Sequence, residues 1–241
     1  MLVMEQMKKG TKGMIDKIRT ADEAVAGLQD GMTIMVGGFM ACGSPENLMD
    51  AIVRKGVKHL TVIGNDGGIP PTEKDTARGI GKLINAGLVD HLIASHVGLN
   101  PQVGQGMMAG VLKCSLVPQG TLAEAIRAGG AGLGGVLTPT GVGTIAAEGR
   151  EIIVVDGKEY VLEKPLKADY AFVRATHADK FGNFMSGKST KTFNYVMAMA
   201  AETVILGTEH LHEVGEKDAD FYHMPGTFVK YIVGGELRWQ I

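Results

Sequence analysis

Asp30-Gly31-Met32-Thr33-Ile34-Met35-Val36-Gly37-Gly38-Phe39-Met40-Ala41-Cys42-Gly43-Ser44-Pro45 is the stretch that decides how the rest of this sequence is read. Residues 32–36 are a short apolar run, rich in β-branched side chains, with glycine on both sides. A strand buried on both faces of a parallel sheet has that composition. Gly37, Gly38 and Gly43 then leave the backbone bare. Ser44 suits an N-cap and Pro45 a first helical residue. The predicted order is strand, glycine loop, helix N-terminus. In open α/β sheets ligands bind at the carboxyl ends of strands, and free N–H groups with a helix dipole favour an anion or a developing oxyanion there. The same glycines also suit a tight strand-to-helix turn that needs them for geometry alone.

The rhythm continues outward. Upstream, Thr20 with Glu23 forms a capping box opening a helix. Downstream, helix 45–55 buries Leu48, Met49, Ile52 and Val53 and stops at Gly56. Strands are predicted over 60–64, 88–95, 111–118, 168–175 and 203–206, with helices over 80–86, 101–109 and 192–201. Thr121 and Glu124 read as a second capping box, for a helix ending at Gly129-Gly130. Residues 69–77, with Pro70-Pro71 and several charges, read as an exposed excursion. Alternating strands and ten-residue helices predict an open, mostly parallel, doubly wound α/β sheet with right-handed crossovers. Residues 151–164 break the rhythm. Their apolar flanks around Asp156-Gly157 predict a small antiparallel β-hairpin insert, either a flap or an interface element. After Gly207 the chain reads as polar and irregular, apart from an apolar piece at 229–233.

The 241 residues suffice for one domain, predicted over 20–241, with 1–19 as an N-terminal leader. A formal net charge of −2 and 5% aromatics argue against a nucleic-acid partner. No apolar run approaches the ~20 residues that span a bilayer. Cys42 and Cys114 lack metal-ligand spacing, and a reducing cytoplasm fits them better than a disulfide framework. His177, His210, His212 and His223 are not spaced as a metal site, so no metal is expected. The string 141–146 fits a relaxed dinucleotide fingerprint, but it follows no clean strand and lacks the acidic residue about 20 positions on.

Three loops at strand ends carry bare backbone or polar side chains: 37–43, 65–68 and 119–120. On these residues the sequence resembles the alpha-type subunit of the family I coenzyme A-transferases. The resemblance rests on Asp30-Gly31, the three apolar residues before Gly37-Gly38-Phe39, then Gly43 and Pro45. It extends through 118–122, 127–132, 138–144, Ala178-Asp179, Gly182-Asn183 and Phe193-Asn194, covering 20 to about 230. The short-chain acetate, butyrate and 3-oxoacid transferases match better than the longer glutaconate type.

The resemblance implies transfer of CoA between a short-chain acyl-CoA and a carboxylic acid by a ping-pong route. A glutamate attacks the thioester, and a glutamyl-CoA thioester forms by way of a mixed anhydride. It places that glutamate in a Ser-Glu-Asn-Gly context on the beta-type subunit. This chain lacks the tetrapeptide; its nearest string, Ser44-Pro45-Glu46-Asn47, makes Glu46 a first-turn dipole partner. The chain is therefore expected to supply half of an active site, within a hetero-oligomer such as α2β2, with CoA thioester as substrate and no cofactor. Gly37, Gly38, Phe39, Met40, Ala41, Cys42 and Gly43 would then approach the substrate, and Asn65 and Gln119 would donate to its carboxylate. Read without the resemblance, Asn65 is an Asx-turn residue and Gln119 a surface residue before a helix. Asp66, where related subunits can carry Asn, Lys191-Thr192, where related chains often read Arg-Asn, and the extra length at 70–75 depart from the pattern. Two other functions remain: a sugar-phosphate isomerase on a similar fold, which needs a basic clamp, and a non-catalytic CoA- or metabolite-binding regulator.

Overall fold

The computed structural model describes residues 16–234. Helix α1 (Ala21–Ala24) carries the predicted cap in both directions: Thr20 Oγ1 accepts from Glu23 N, and Glu23 Oε2 accepts from Thr20 N. Next come β1 (Thr33–Val36), α2 (Glu46–Lys55), β2 (Leu60–Ile63), α3 (Ile80–Asn85), β3 (Val89–Ala94), α4 (Pro101–Met108), β4 (Lys113–Leu116) and α5 (Gln119–Ala131). The strands β5 (Val136–Thr138), β6 (Ile152–Val155) and β7 (Lys158–Glu163) lead into β8 (Ala168–Asp179) and β9 (Phe184–Met185). Helix α6 (Asn194–Met199), β10 (Ala201–His212) and β11 (Val229–Gly234) complete the fold.

The main sheet runs β11-β10-β8-β1-β2-β3-β4, every neighbouring pair parallel, with β9 antiparallel against β8. Strand alternation divides the core in two. Ile34, Val62, Leu92, Phe172 and Ile205 point to one face, with Leu48, Met49 and Ile52 of α2 and Leu83 of α3. Met35, Ile63, Ala171, Val173, Val204 and Leu206 point to the other, with Leu122 and Ile126 of α5 and Met197 of α6. Burying each large side chain contributes about 1.5–3 kcal/mol. This is the predicted doubly wound architecture, and it fixes the crevice. From β1 the chain builds outward through β2, β3 and β4, then returns to lay β8 on the other side of β1. The order reverses between β1 and β8, where such sheets open a ligand crevice at the strands' carboxyl ends.

Several local expectations are corrected. Ser44 does not cap α2; its hydroxyl donates to Gly37 O at 2.9 Å, and Pro45 occupies the cap without a side-chain bond. Helix α5 begins at Gln119, two residues before the expected capping box, and Glu124 pairs with Arg127 on an exposed face instead. Gly129-Gly130 do not stop α5: the helix runs on to Ala131, with Gly132 in the left-handed cap. Those glycines permit close packing, since a Cβ on Gly129 would stand 1.9 Å from Leu166 O. Val53 of α2 is exposed at 36% rather than inward. Strands β8 and β10 each run to 12 residues, further than their apolar stretches suggested, because they pair with each other as far as His212 and Asp179.

The hairpin β6–β7 turns on Asp156 and Gly157, φ 51° and 76°, the paired left-handed conformations of a type I′ turn. It is one part of a three-stranded antiparallel sheet, order β5-β7-β6. Residues 1–15 of the expected leader and residues 235–241 of the expected domain lie outside the described residues. Within the leader range, Arg19 N donates to Ile232 O at 2.9 Å and Ile232 N to Lys17 O at 2.8 Å, so residues 17–19 join the sheet beside β11.

Candidate functional site

The loop after β1 lies at the point where strand order reverses. Phe39 and Cys42 exchange backbone bonds of 2.9 and 2.8 Å across Met40 and Ala41. Those two residues have φ of 45° and 62°. Left-handed backbone costs a non-glycine residue about 1–2 kcal/mol, so the surroundings must hold the turn. Three side chains do so. Ser44 reaches Gly37 O; Asp66 accepts from Met40 N at 2.7 Å; Asn194 Nδ2 donates to Gly43 O at 3.0 Å. Asn194 opens α6 and also accepts from Arg174 N at 2.9 Å, so it ties the β1 loop to β8 across the crevice. Of the predicted loop residues, Phe39 is exposed at 45%; Ala41 is buried, and Gly37, Gly38 and Gly43 are covered. Cys42 is half-buried, its Sγ 3.5 Å from Ser189 Oγ.

The structure brings the three predicted loops together. Asp66, at the end of β2, holds the β1 loop through Met40 N. Asn65, beside it, receives Gln119 Nε2 on its Oδ1 at 2.6 Å, and Gln119 is the first residue of α5, after β4. Asn65 is buried at 2%, whereas Gln119 is exposed. One amide N–H of each is already engaged, Asn65 Nδ2 donating to Asp66 at 2.8 Å. Two free N–H groups from each side chain are therefore not on offer to a ligand. Loop donors are reduced in the same way: the N–H groups of Gly37, Phe39, Met40, Cys42 and Ser44 all have protein acceptors.

Glu46 holds structure together. Its Oε1 accepts from Gly79 N at 2.8 Å and its Oε2 lies 2.9 Å from Lys82 Nζ. Burial disfavours the Lys82 charge, but hydrogen bonds and attraction from Asp50 and Glu46 outweigh it and push the ammonium above its ordinary range.

Arg174 was not among the residues expected from the sequence. It is 2% exposed, stands in the carboxyl half of β8, and pairs with Glu209 on β10. Burial lowers its affinity for a proton, and Glu209 opposes that. A guanidinium amid the apolar 168–175 run was the available signal, because a charge there must have a buried partner. The histidines also need correcting. His210 and His212 lie in β10, not in a solvated tail, and stack on His177 with ring centroids 4.8 and 5.2 Å apart. Among the described residues, no group of three or more His, Cys, Asp or Glu is placed to hold a metal ion. No helix among them is long and apolar enough to cross a membrane.

The sheet thus carries a glycine loop, a buried carboxylate and two amides at the carboxyl ends of β1, β2 and β4, the edge at which open α/β sheets bind ligands. The sequence profile described as Coenzyme A transferase matches residues 18–235, and the chain belongs to that family. It is 46% identical to the alpha subunit of the acetate CoA-transferase of Escherichia coli K12 over 220 residues, 91% of this chain and 97% of that one. It is 47% identical over 205 residues to the acetoacetyl-CoA:acetate/butyrate CoA transferase alpha subunit of Clostridium acetobutylicum, covering 85% and 91%. Among solved structures, the acyl-CoA transferase YdiF of Escherichia coli O157:H7 superposes with a TM-score of 0.80 at 23% identity. That match covers 94% of this chain and 48% of YdiF, so the chain spans about half of YdiF's length. Glutaconate coenzyme A-transferase of Acidaminococcus fermentans superposes with a TM-score of 0.76 at 22% identity, covering 90% and 75%. Both likenesses bear on the fold alone.

Proposed function

We propose that this chain is the alpha-type half of a CoA-transferase that moves CoA between a short-chain acyl-CoA and acetate, butyrate or a 3-oxoacid. The observation that carries the reading is the junction of three strand-end loops, through Met40 N to Asp66 and Gln119 Nε2 to Asn65, in a chain of this family. A carboxylate attacking a thioester needs positioned donors for the oxyanion and a site that excludes water. The left-handed Met40-Ala41 turn sets the loop at the strands' carboxyl ends, with Phe39 as exposed apolar cover and Gln119 as the accessible amide. The nucleophilic glutamate belongs to the beta-type partner. Glu46 is engaged with Gly79 and Lys82, and Glu124 with Arg127 away from the crevice, which supports that assignment. The assembly is a hetero-oligomer such as α2β2 in the cytoplasm, where the free thiols of Cys42 and Cys114 persist. CoA enters as substrate, and the route calls for no further cofactor.

The test is to co-express the chain with a candidate beta-type partner carrying Ser-Glu-Asn-Gly and to assay transfer from acetyl-CoA to butyrate and acetoacetate. Activity only in the mixture is expected, and the preferred acid defines the substrate. A fully active lone chain, or a stable complex inactive on both acids, overturns the proposal.

A further inference from the structure

Asp66 is 4% exposed and both its carboxylate oxygens are engaged. Oδ1 accepts from Gly68 N at 2.7 Å; Oδ2 accepts from Met40 N at 2.7 Å and Asn65 Nδ2 at 2.8 Å. A carboxylate surrounded in this way only accepts. The Asn65 amide must therefore turn its NH2 toward Asp66, and its Oδ1 faces the opposite way. Only a donor can stand against that oxygen. Gln119 Nε2 does so at 2.6 Å, and Ser95 Oγ lies 3.3 Å from the same atom. One buried carboxylate thus sets the rotation of two amides in series.

We infer that Asp66 is a positioning residue for the transfer reaction. Through Asn65 it holds the Gln119 amide with its NH2 turned inward, leaving the Gln119 carbonyl oxygen and a single N–H for the ligand. The inference rests on the CoA-transfer reading above. An asparagine at position 66 either donates or accepts, so the Asn65–Gln119 pair gains a second rotational state. This gives Asp66 a role beyond holding the loop, and that role has a reciprocal signature.

The signature is read from a double-mutant cycle in the complex with the beta-type partner. Asp66→Asn is expected to lower kcat/KM at least about fivefold while Gln119 is present and to change it far less in a Gln119→Ala background, where no amide is left to orient. Urea midpoints of the same four complexes should couple in the same direction. Additive losses in both readouts overturn the inference, because a carboxylate that only braced the loop through Met40 N costs the same in both backgrounds. Coupled midpoints with additive kinetics overturn its part in the reaction. A wild-type complex that transfers no CoA while its midpoints still couple overturns the transferase reading but leaves the amide chain standing.

Discussion

Gly37 lies directly against the side-chain amide of Asn194: a Cβ on Gly37 would stand 1.9 Å from Asn194 Oδ1 and 2.7 Å from its Cγ. Asn194 is buried and makes three bonds, to Arg174 N, Gly43 O and Thr190 O. A methyl group at 37 must displace the amide that joins the β1 loop to β8. Gly37→Ala is expected to cost about 1–3 kcal/mol by overpacking and to abolish activity in the complex. A wild-type urea midpoint for this variant would contradict the close contact.

Two glycines inside helices should respond with opposite signs. Gly104 of α4 is exposed and has nothing within 4 Å of where a methyl group would stand, so Gly104→Ala gains helix propensity worth about 0.8–1 kcal/mol. Gly129 of α5 faces Leu166 O at 1.9 Å, so Gly129→Ala destabilises despite the same propensity gain. Thermal unfolding of the two variants checks both; equal shifts would show that packing does not decide.

Acid should weaken the β8–β10 extension. Burial lowers the proton affinity of His177 from an ordinary 6.5, and His210, His212 and Lys217 add to the effect. The folded chain then binds a proton at His177 less readily than the unfolded chain. Stability is full above about pH 6.5 and falls as pH drops through the unfolded value. Denaturation midpoints measured from about pH 8 to 5 should decline, and His177→Gln should flatten the decline. An unchanged slope would place its origin elsewhere.

The cap at Thr20 makes a local prediction. Thr20→Ala removes the hydroxyl that accepts from Glu23 N and leaves the first turn of α1 without its side-chain partner. A loss of about 0.5–2 kcal/mol is expected from chemical denaturation. A change within error would mean that packing of Ala24, Val25 and Leu28, with the bond from the residue 20 backbone N–H to Glu23, holds α1 without the hydroxyl.

Features with local causes were legible in the sequence. The apolar run ending at Val36, the capping box at Thr20, the Gly56 stop and the Asp156-Gly157 turn each depend on residues a few positions apart. Expectation and structure part where distant contacts override local chemistry. Ser44 looks like a cap, but Gly37 O draws its hydroxyl away. Gly129-Gly130 look like a stop, but they lie against Leu166 and Met199 inside a continuing helix. His210 looks like tail, but it pairs with His177.

The site divides along the same line. By itself the sequence determined the strand–glycine loop–helix unit, the α/β alternation and the identity of the three polar loops. Those follow from backbone freedom, hydrophobic period and turn chemistry within short windows. Only the tertiary structure decided that β8 returns beside β1, that Asp66 reaches Met40 N, and that Asn65 lies buried behind an exposed Gln119. Side chains 54 positions apart meet at 2.6 Å because the parallel sheet brings the carboxyl ends of β2 and β4 to one edge with only β3 between them, and no local pattern encodes that distance.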